Sequence, residues 1–354
     1  MATRKVVGIE TEYGIVVRGT DDPNPITASS LLINAYLGET GARGPGRAPK
    51  VGWDFEDESP GTDARGSLAA EYALAPEVET HLVNAVLTNG ARYYVDHAHP
   101  ELSTPECGDA LSIVRFDRAA ELILRRSMTA ANAQLPPGQE IIVHKNNSDG
   151  KGNSYGCHEN YLMDRSVPFG QIVVHATAHF VTRQIFTGAG KVGSEVVGVG
   201  RDTVPFQLTQ RADFFEEEVG LETTLKRPII NTRDEPHGDS TKYRRLHVIV
   251  GDANLSEVQI FLKLGATALM LAALEDGALP DPLDLADPVS ACWGVSHDYR
   301  KPLELEGGGT ATALDLQWRY LEWLSKYVEK ELDEPVWRQV LAEWESVLDD
   351  FETD

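Results

Sequence analysis

The stretch Gly8-Ile9-Glu10-Thr11-Glu12-Tyr13-Gly14, preceded by Val6-Val7 and followed by Ile15-Val16-Val17, decides how the chain is read. Its apolar flanks predict a buried strand into which two carboxylates are inserted. Side chains alternate faces along a strand, so Glu10 and Glu12 point the same way. Two like charges side by side in a buried strand oppose folding unless something neutralises them. Carboxylate oxygens suit Mg2+ or Mn2+, so a divalent cation is one physical answer; a solvated strand edge is the other.

The same one-faced polarity returns along the chain. In Arg92-Tyr93-Tyr94-Val95-Asp96 the positions 92, 94 and 96 share a face, with His99 and Glu101 following. Alternation over 154–161 puts His158 with Asn160, and over 207–211 it groups Gln207, Thr209 and Arg211. Arg245 and His247 share a further face. Taken singly, His247 reads as a satisfied core histidine, Tyr94 as packing, and Glu159 as a structural group on the opposite face. Asp96 is harder to set aside, because a lone carboxylate in an apolar strand needs a partner or a task. Five such strands point to a sheet with one polar face that serves as an active site.

Periodicity predicts helices over 29–37, 109–134, 168–188, 255–276 and 313–350, the last divided by Pro335. Strands are expected at 91–96, 141–145, 154–161, 204–210 and 243–251. Separated strand pairs with long helices between them give an α+β class built on a mostly antiparallel sheet. Residues 38–66 are rich in Gly, Pro and charge and include Trp53-Asp54-Phe55-Glu56-Asp57-Glu58-Ser59-Pro60. So long a stretch without periodicity inside a domain is usually functional or disordered.

The 354 residues suffice for one large domain or two ordinary ones. A net charge of −23 opposes nucleic-acid binding and disfavours a carboxylate–Mg2+ nuclease. Within that acidic background, Arg183, Arg201, Arg211, Arg227, Arg233, Arg244 and Arg245 concentrate between residues 180 and 250. Such a region suits an anionic ligand, a nucleotide or an acidic peptide. No apolar run reads as approaching the roughly 18 residues of a membrane span. Cys107, Cys157 and Cys292 form no C-x-x-C pair, as expected for a reducing cytoplasm.

Seven motifs carry a resemblance. They are Gly8–Gly14, Asn89–Asp96, His99–Cys107, Lys145-Asn146-Asn147, Asn153–Tyr161, Pro228–His237 and Tyr243–Asp252. In this order they resemble the glutamine synthetase and glutamate–cysteine ligase superfamily. Within it the chain is similar to the branch that ligates or hydrolyses conjugates of the prokaryotic ubiquitin-like protein, Pup. The 38–66 segment and Asp96-His97-Ala98-His99-Pro100-Glu101 resemble the deamidase/depupylase side of that branch more than the ligase side. The resemblance implies a glutamine synthetase-like curved sheet cradle packed against helices. Residues 1–354 would form one catalytic domain, with 38–66 a flexible insertion loop and the family's small C-terminal domain absent.

It further implies Glu10, Tyr94 and Glu101 as Mg2+ ligands, with Glu12, His158 and His247 as additional candidates. Asn160, Arg233 and Arg245 would hold ATP phosphates, with Arg211 and Arg227 contributing, and Asp96 would be the catalytic carboxylate. Asp96 would either attack the amide carbon itself or activate another nucleophile. The implied activity is deamidation of the C-terminal Gln of Pup and cleavage of the Pup–lysine isopeptide bond, with ATP-Mg as a bound cofactor. Pup and pupylated proteins are the implied partners of a cytoplasmic monomer that binds neither nucleic acid nor membrane. Two rivals stand beside this: an ATP-dependent Pup–protein ligase, and a nucleotide-binding regulatory module without chemistry.

Overall fold

A computed structural model of the chain describes residues 2–21, 23–39, 64, 83–196 and 198–353. Apart from residues 38, 39 and 64, the 38–66 segment lies outside the described residues. The strands are β1 (Val7–Glu12), β2 (Gly14–Arg18), β3 (Asn84–Val86), β4 (Arg92–Asp96), β5 (His99–Ser103), β6 (Glu140–His144), β7 (Cys157–Asp164), β8 (Phe215–Gly220), β9 (Arg227–Asn231) and β10 (Tyr243–Val248). The helices are α1 (Pro25–Glu39), α2 (Ala110–Asn132), α3 (Phe169–Thr182), α4 (Gln184–Thr187), α5 (Glu257–Glu275), α6 (Pro288–His297), α7 (Ala313–Glu331) and α8 (Pro335–Thr353).

Six strands form one sheet in the order β10-β7-β1-β5-β4-β3, with every neighbouring pair antiparallel. Separate pairs are β2 with β6, antiparallel, β8 with β9, parallel, and the short β11 (Leu303–Glu304) with β12 (Thr310–Ala311), antiparallel. The α+β class with a mostly antiparallel sheet is therefore as expected.

The stretch around Glu10 is two strands rather than one. The chain leaves the large sheet at Tyr13, whose N–H donates to the Pro100 carbonyl at 3.1 Å and whose ring is buried. It then enters the small β2–β6 pair.

Alternation along β1 buries Val7, Ile9 and Thr11 and leaves Gly8, Glu10 and Glu12 on the open face. The buried face of β1, β7 and β10 packs Ile9, Tyr161, Met163, Leu246 and Val248 into a core shared with α3 and α5. Tyr93, Val95 and Leu102 of β4 and β5 belong to a second cluster with Leu32 and Ile33 of α1 and Ile123 and Leu124 of α2. Both cores thus lie behind the sheet and leave its other face to polar chemistry.

Helix α5 corrects the membrane reading. By length and composition it could cross a bilayer, with a mean hydropathy of 1.5, yet 78% of that window is buried inside the protein. A Cβ added at Gly265 would lie 2.6 Å from Val340 of α8 and 3.4 Å from Ala110 of α2, so α5 is the core helix those neighbours close upon. Ser256 caps its start by accepting from Gln259 N–H, a bond worth about 1 kcal/mol.

The strand expected at 204–210 does not form. Its backbone bonds go largely to side chains and loops: Gln210 N–H donates to Asp252 Oδ2, Thr209 N–H to Ser296 Oγ and Leu208 N–H to the Ser296 carbonyl. Only the bridge between Gln207 and Lys191 remains strand-like. Pro335 does divide the C-terminal helices, as expected.

Candidate active site

Strand register assembles the open face. Glu10 lies opposite His158 on β7 and Ser103 on β5, and Glu12 lies opposite Glu101. Tyr94 faces Glu101, Asp96 faces His99, and His247 faces Asn160. Five strands thus bring the polar positions into two groups, each with ligand atoms within 4.8 Å of one another: Glu12, Asp96 and Glu101, and Glu10, His158 and His247.

The first group is all hard oxygen. Glu101 is buried, and burial together with the charges of Asp96, Glu12 and Glu10 pushes its carboxyl well above the ordinary range. Tyr94, hydrogen-bonded to Glu101, opposes this weakly. Three carboxylates crowded in this way repel one another, and an oxygen-seeking cation of the Mg2+ class fits the donor set. Tyr94 does not belong to either group. Burial raises its phenol well above normal and keeps it protonated, and its Oη accepts from Ser103 Oγ at 3.3 Å.

The second group mixes oxygen and nitrogen. His158 Nδ1 is 3.4 Å and His247 Nε2 3.9 Å from Glu10 Oε2, and the two rings meet edge to face at 4.9 Å. His247 is only 1% exposed, and neither of its ring nitrogens has a hydrogen-bond partner among the described residues. Burial and the Arg245 charge hold it neutral, the form a metal requires. Burial would push the Glu10 carboxyl up, but the His158 bond and the Arg245 charge outweigh this and hold it at about 2.

Arg245 links this group to the expected phosphate donors. Its Nη1 donates to Asn160 Oδ1 at 2.8 Å and lies 3.8 Å from Glu10, while Nη2 reaches Glu235 at 3.2 Å. Arg233 adds positive charge beside Glu10 and His247, and its buried Nε has no hydrogen-bond partner among the described residues. Arg211 is placed differently. It is buried, with Nη1 donating to the Ile249 and Gly251 carbonyls at 2.5 and 2.7 Å and Nε to Ser154 at 3.0 Å. Arg227 donates its Nε to the Thr223 carbonyl and stacks over Phe214. Both arginines are therefore engaged in holding loops beside the sheet.

Asp96 sits at the rim, where β4 turns into β5. Burial would raise its carboxyl, but the His97 hydrogen bond and charge outweigh that and lower it. His99 meets Tyr155 edge to face at 4.7 Å and approaches Glu12 at 3.6 Å. Sequence reading left His97 without a role. It also missed Gly156, where an added Cβ would fall 2.7 Å from both Glu12 Oε1 and His158 Nε2. The signal for Gly156 is its place immediately before the His158–Asn160 alternation. Glu159 points away from the site, as expected, and pairs with Arg183.

The profile of the family described as Pup-ligase protein matches residues 5–354. The chain is 53% identical to the depupylase of Acidothermus cellulolyticus over 97% of its own length and 69% of that protein. It is 45% identical to the Pup deamidase/depupylase of Mycolicibacterium smegmatis, over 99% of its own length and 70% of that protein. A solved complex between Pup and its ligase PafA superposes with a TM-score of 0.77 at 30% identity, covering 99% of this chain and 64% of that one. A structure of the Pup ligase PafA with ADP gives 0.69 at 38% identity, over 76% of this chain and 60% of that one. The chain thus spans less than two thirds of the two solved ligases and slightly more of the two curated hydrolases. A matching profile from Lys5 onward, with relatives of this identity over nearly all residues, establishes that the chain belongs to the Pup-ligase protein family.

Proposed function

We propose that the chain is an amide hydrolase that deamidates the C-terminal Gln of Pup and cleaves the isopeptide bond joining Pup to substrate lysines. The observation that carries this is Asp96, a carboxylate at the rim of an oxygen-rich cluster, in a chain that resembles depupylases nearly end to end. Pup and pupylated proteins are its substrates, ATP and Mg2+ its cofactors, and a reducing cytoplasm its setting.

Glu12 and Glu101, with Asp96 beside them, would hold one cation, and Glu10, His158 and His247 a second. Mg2+ supplies positive charge that offsets the crowded carboxylates and orients nucleotide phosphates. Asn160, Arg233 and Arg245 lie beside the second group as fixed donors for those phosphates.

Asp96 acts as the nucleophile on the γ-carboxamide carbon. An Asp96 oxygen bonds to that carbon, the C–N bond breaks, and the nitrogen leaves as ammonia or the lysine amine after taking up a proton from water. Water then adds to the resulting anhydride, releasing the Pup γ-carboxylate and restoring Asp96. The lowered Asp96 carboxyl suits this role, since the nucleophile must be ionised at neutral pH.

The test is incubation with Mg2+, ATP and Pup ending in Gln, followed by mass spectrometry. Conversion adds ~1 Da to Pup as an amide becomes an acid. ADP formed in step with a new Pup–lysine bond, and no deamidation, would instead establish a ligase.

A further inference from the structure

His97 and Ala98 form the two-residue turn between Asp96 and His99, which face each other across β4 and β5. His97 alone of the two has a left-handed backbone, with φ at 52°. Glycine, asparagine or aspartate is ordinarily favoured there in so tight a hairpin. The side chain is 65% exposed. The turn is anchored independently: Ser29 of α1, fully buried, donates its hydroxyl to the Ala98 carbonyl at 2.9 Å.

The ring itself folds back onto the preceding residue, with Nδ1 2.9 Å from Asp96 Oδ2. A carboxylate can only accept, so Nδ1 carries the proton. The left-handed turn is what lets a side chain at 97 reach the side chain at 96, since successive residues on a regular strand face opposite ways.

We propose that His97 is a positioning residue for Asp96. Its Nδ1–H fixes Oδ2 and leaves Oδ1 as the oxygen presented to the scissile amide. A carboxylate's terminal torsion is broad and unlocked on its own, whereas attack requires one oxygen held close and aligned. This inference rests on the hydrolase reading above, because it assigns His97 a part in delivering Asp96 to the amide.

The experiment compares His97→Gly and His97→Asn with the parent protein, using Pup ending in Gln, ATP and Mg2+. Glycine suits the turn at least as well as histidine, so a role confined to the turn predicts unchanged kcat. Positioning predicts that His97→Gly lowers kcat on the order of 10- to 100-fold, with KM for Pup unchanged and Tm no lower. Asparagine tolerates the left-handed backbone and keeps an N–H donor, so it recovers part of the loss. Full activity in His97→Gly, or a loss matched by higher KM or lower Tm, overturns the proposal.

A readout independent of turnover accompanies this. In 15N-histidine NMR, His97 shows the Nδ1–H tautomer in the parent and reverts to Nε2–H in Asp96→Ala, which removes the acceptor. If the parent does not deamidate Pup, the hydrolase reading fails, and the tautomer alone decides whether His97 holds Asp96. A ring that is Nε2–H in both proteins ends the proposal.

Discussion

Arg183 grips Glu159 from beneath the sheet, with Nη2 and Nη1 donating to the two carboxylate oxygens at 2.6 and 2.8 Å, and both side chains fully buried. Tyr161 adds a bond to the same carboxylate at 2.6 Å, and Thr267 accepts from Arg183 at 2.6 Å. Glu159 lies between His158 and Asn160, so this buried pair sets the strand that presents both to the site.

Removing one partner leaves an uncompensated charge in the core. Glu159→Ala or Arg183→Ala is expected to lower stability by about 3–5 kcal/mol, read as a large fall in the denaturation midpoint. Glu12→Gln, on the open face, should weaken Mg2+ binding at the Glu12, Asp96 and Glu101 group with no such fall. If both substitutions destabilise equally, the division between scaffold face and chemical face is wrong.

Gly156 tests the space around the cation groups. Its φ is not in the left-handed region, so alanine fits the backbone, but the new methyl would press on Glu12 Oε1 and His158 Nε2 at 2.7 Å. Those side-chain ends must move. Gly156→Ala should fold with a Tm close to the parent's and bind Mg2+ roughly 10–100-fold more weakly, measured by calorimetry. Unchanged affinity would show that neither group is needed in its present position.

Glu101 and Glu10 impose opposite pH dependences. Glu101 is raised by burial and by Asp96, Glu12 and Glu10. Its stabilising contribution is therefore present below the unfolded carboxyl range and lost as pH rises through the raised value. Glu10 is held at about 2 by His158 and Arg245 against the effect of burial. Its contribution is present above the unfolded range and lost as pH falls toward 2. In metal-free protein at pH 7, Glu101→Gln should raise Tm, and adding Mg2+ should raise the Tm of the parent more than that of the variant, which keeps only the Glu10, His158 and His247 group intact. A variant less stable than the parent without metal would contradict the crowding argument.

The polar face was legible because a period of two is a strong signal when carboxylates and histidines interrupt apolar strands. Glu10 with Glu12, His158 with Asn160 and Arg245 with His247 all lie on the open face. Strand β5 was not legible, because Pro100 argues against a strand interior. It is accommodated just before Glu101, the first residue of β5 to pair with β1, opposite Glu12, and its carbonyl accepts from Tyr13. The 204–210 segment shows the converse. Its alternation mimics a strand, but buried Asp252 and Ser296 take the backbone donors that a neighbouring strand would have taken. The backbone carbonyls that Arg211 and Arg227 hold are set by the fold and carry no signal in the sequence.

Asp96→Asn separates chemistry from binding. Asparagine keeps the size of the side chain and can still hydrogen-bond to His97, but it cannot attack an amide carbon. Glu12 and Glu101 remain to hold a cation, and Asn160, Arg233 and Arg245 are untouched. The variant should bind ATP-Mg and Pup within a few-fold of the parent while deamidation falls about 1,000-fold or more. A regulatory module without chemistry would keep its full function in Asp96→Asn. A carboxylate needed only for metal binding would lose Mg2+ affinity and turnover together, and excess Mg2+ would restore both. Loss of turnover that saturating Mg2+ does not repair assigns Asp96 to the bond-breaking step.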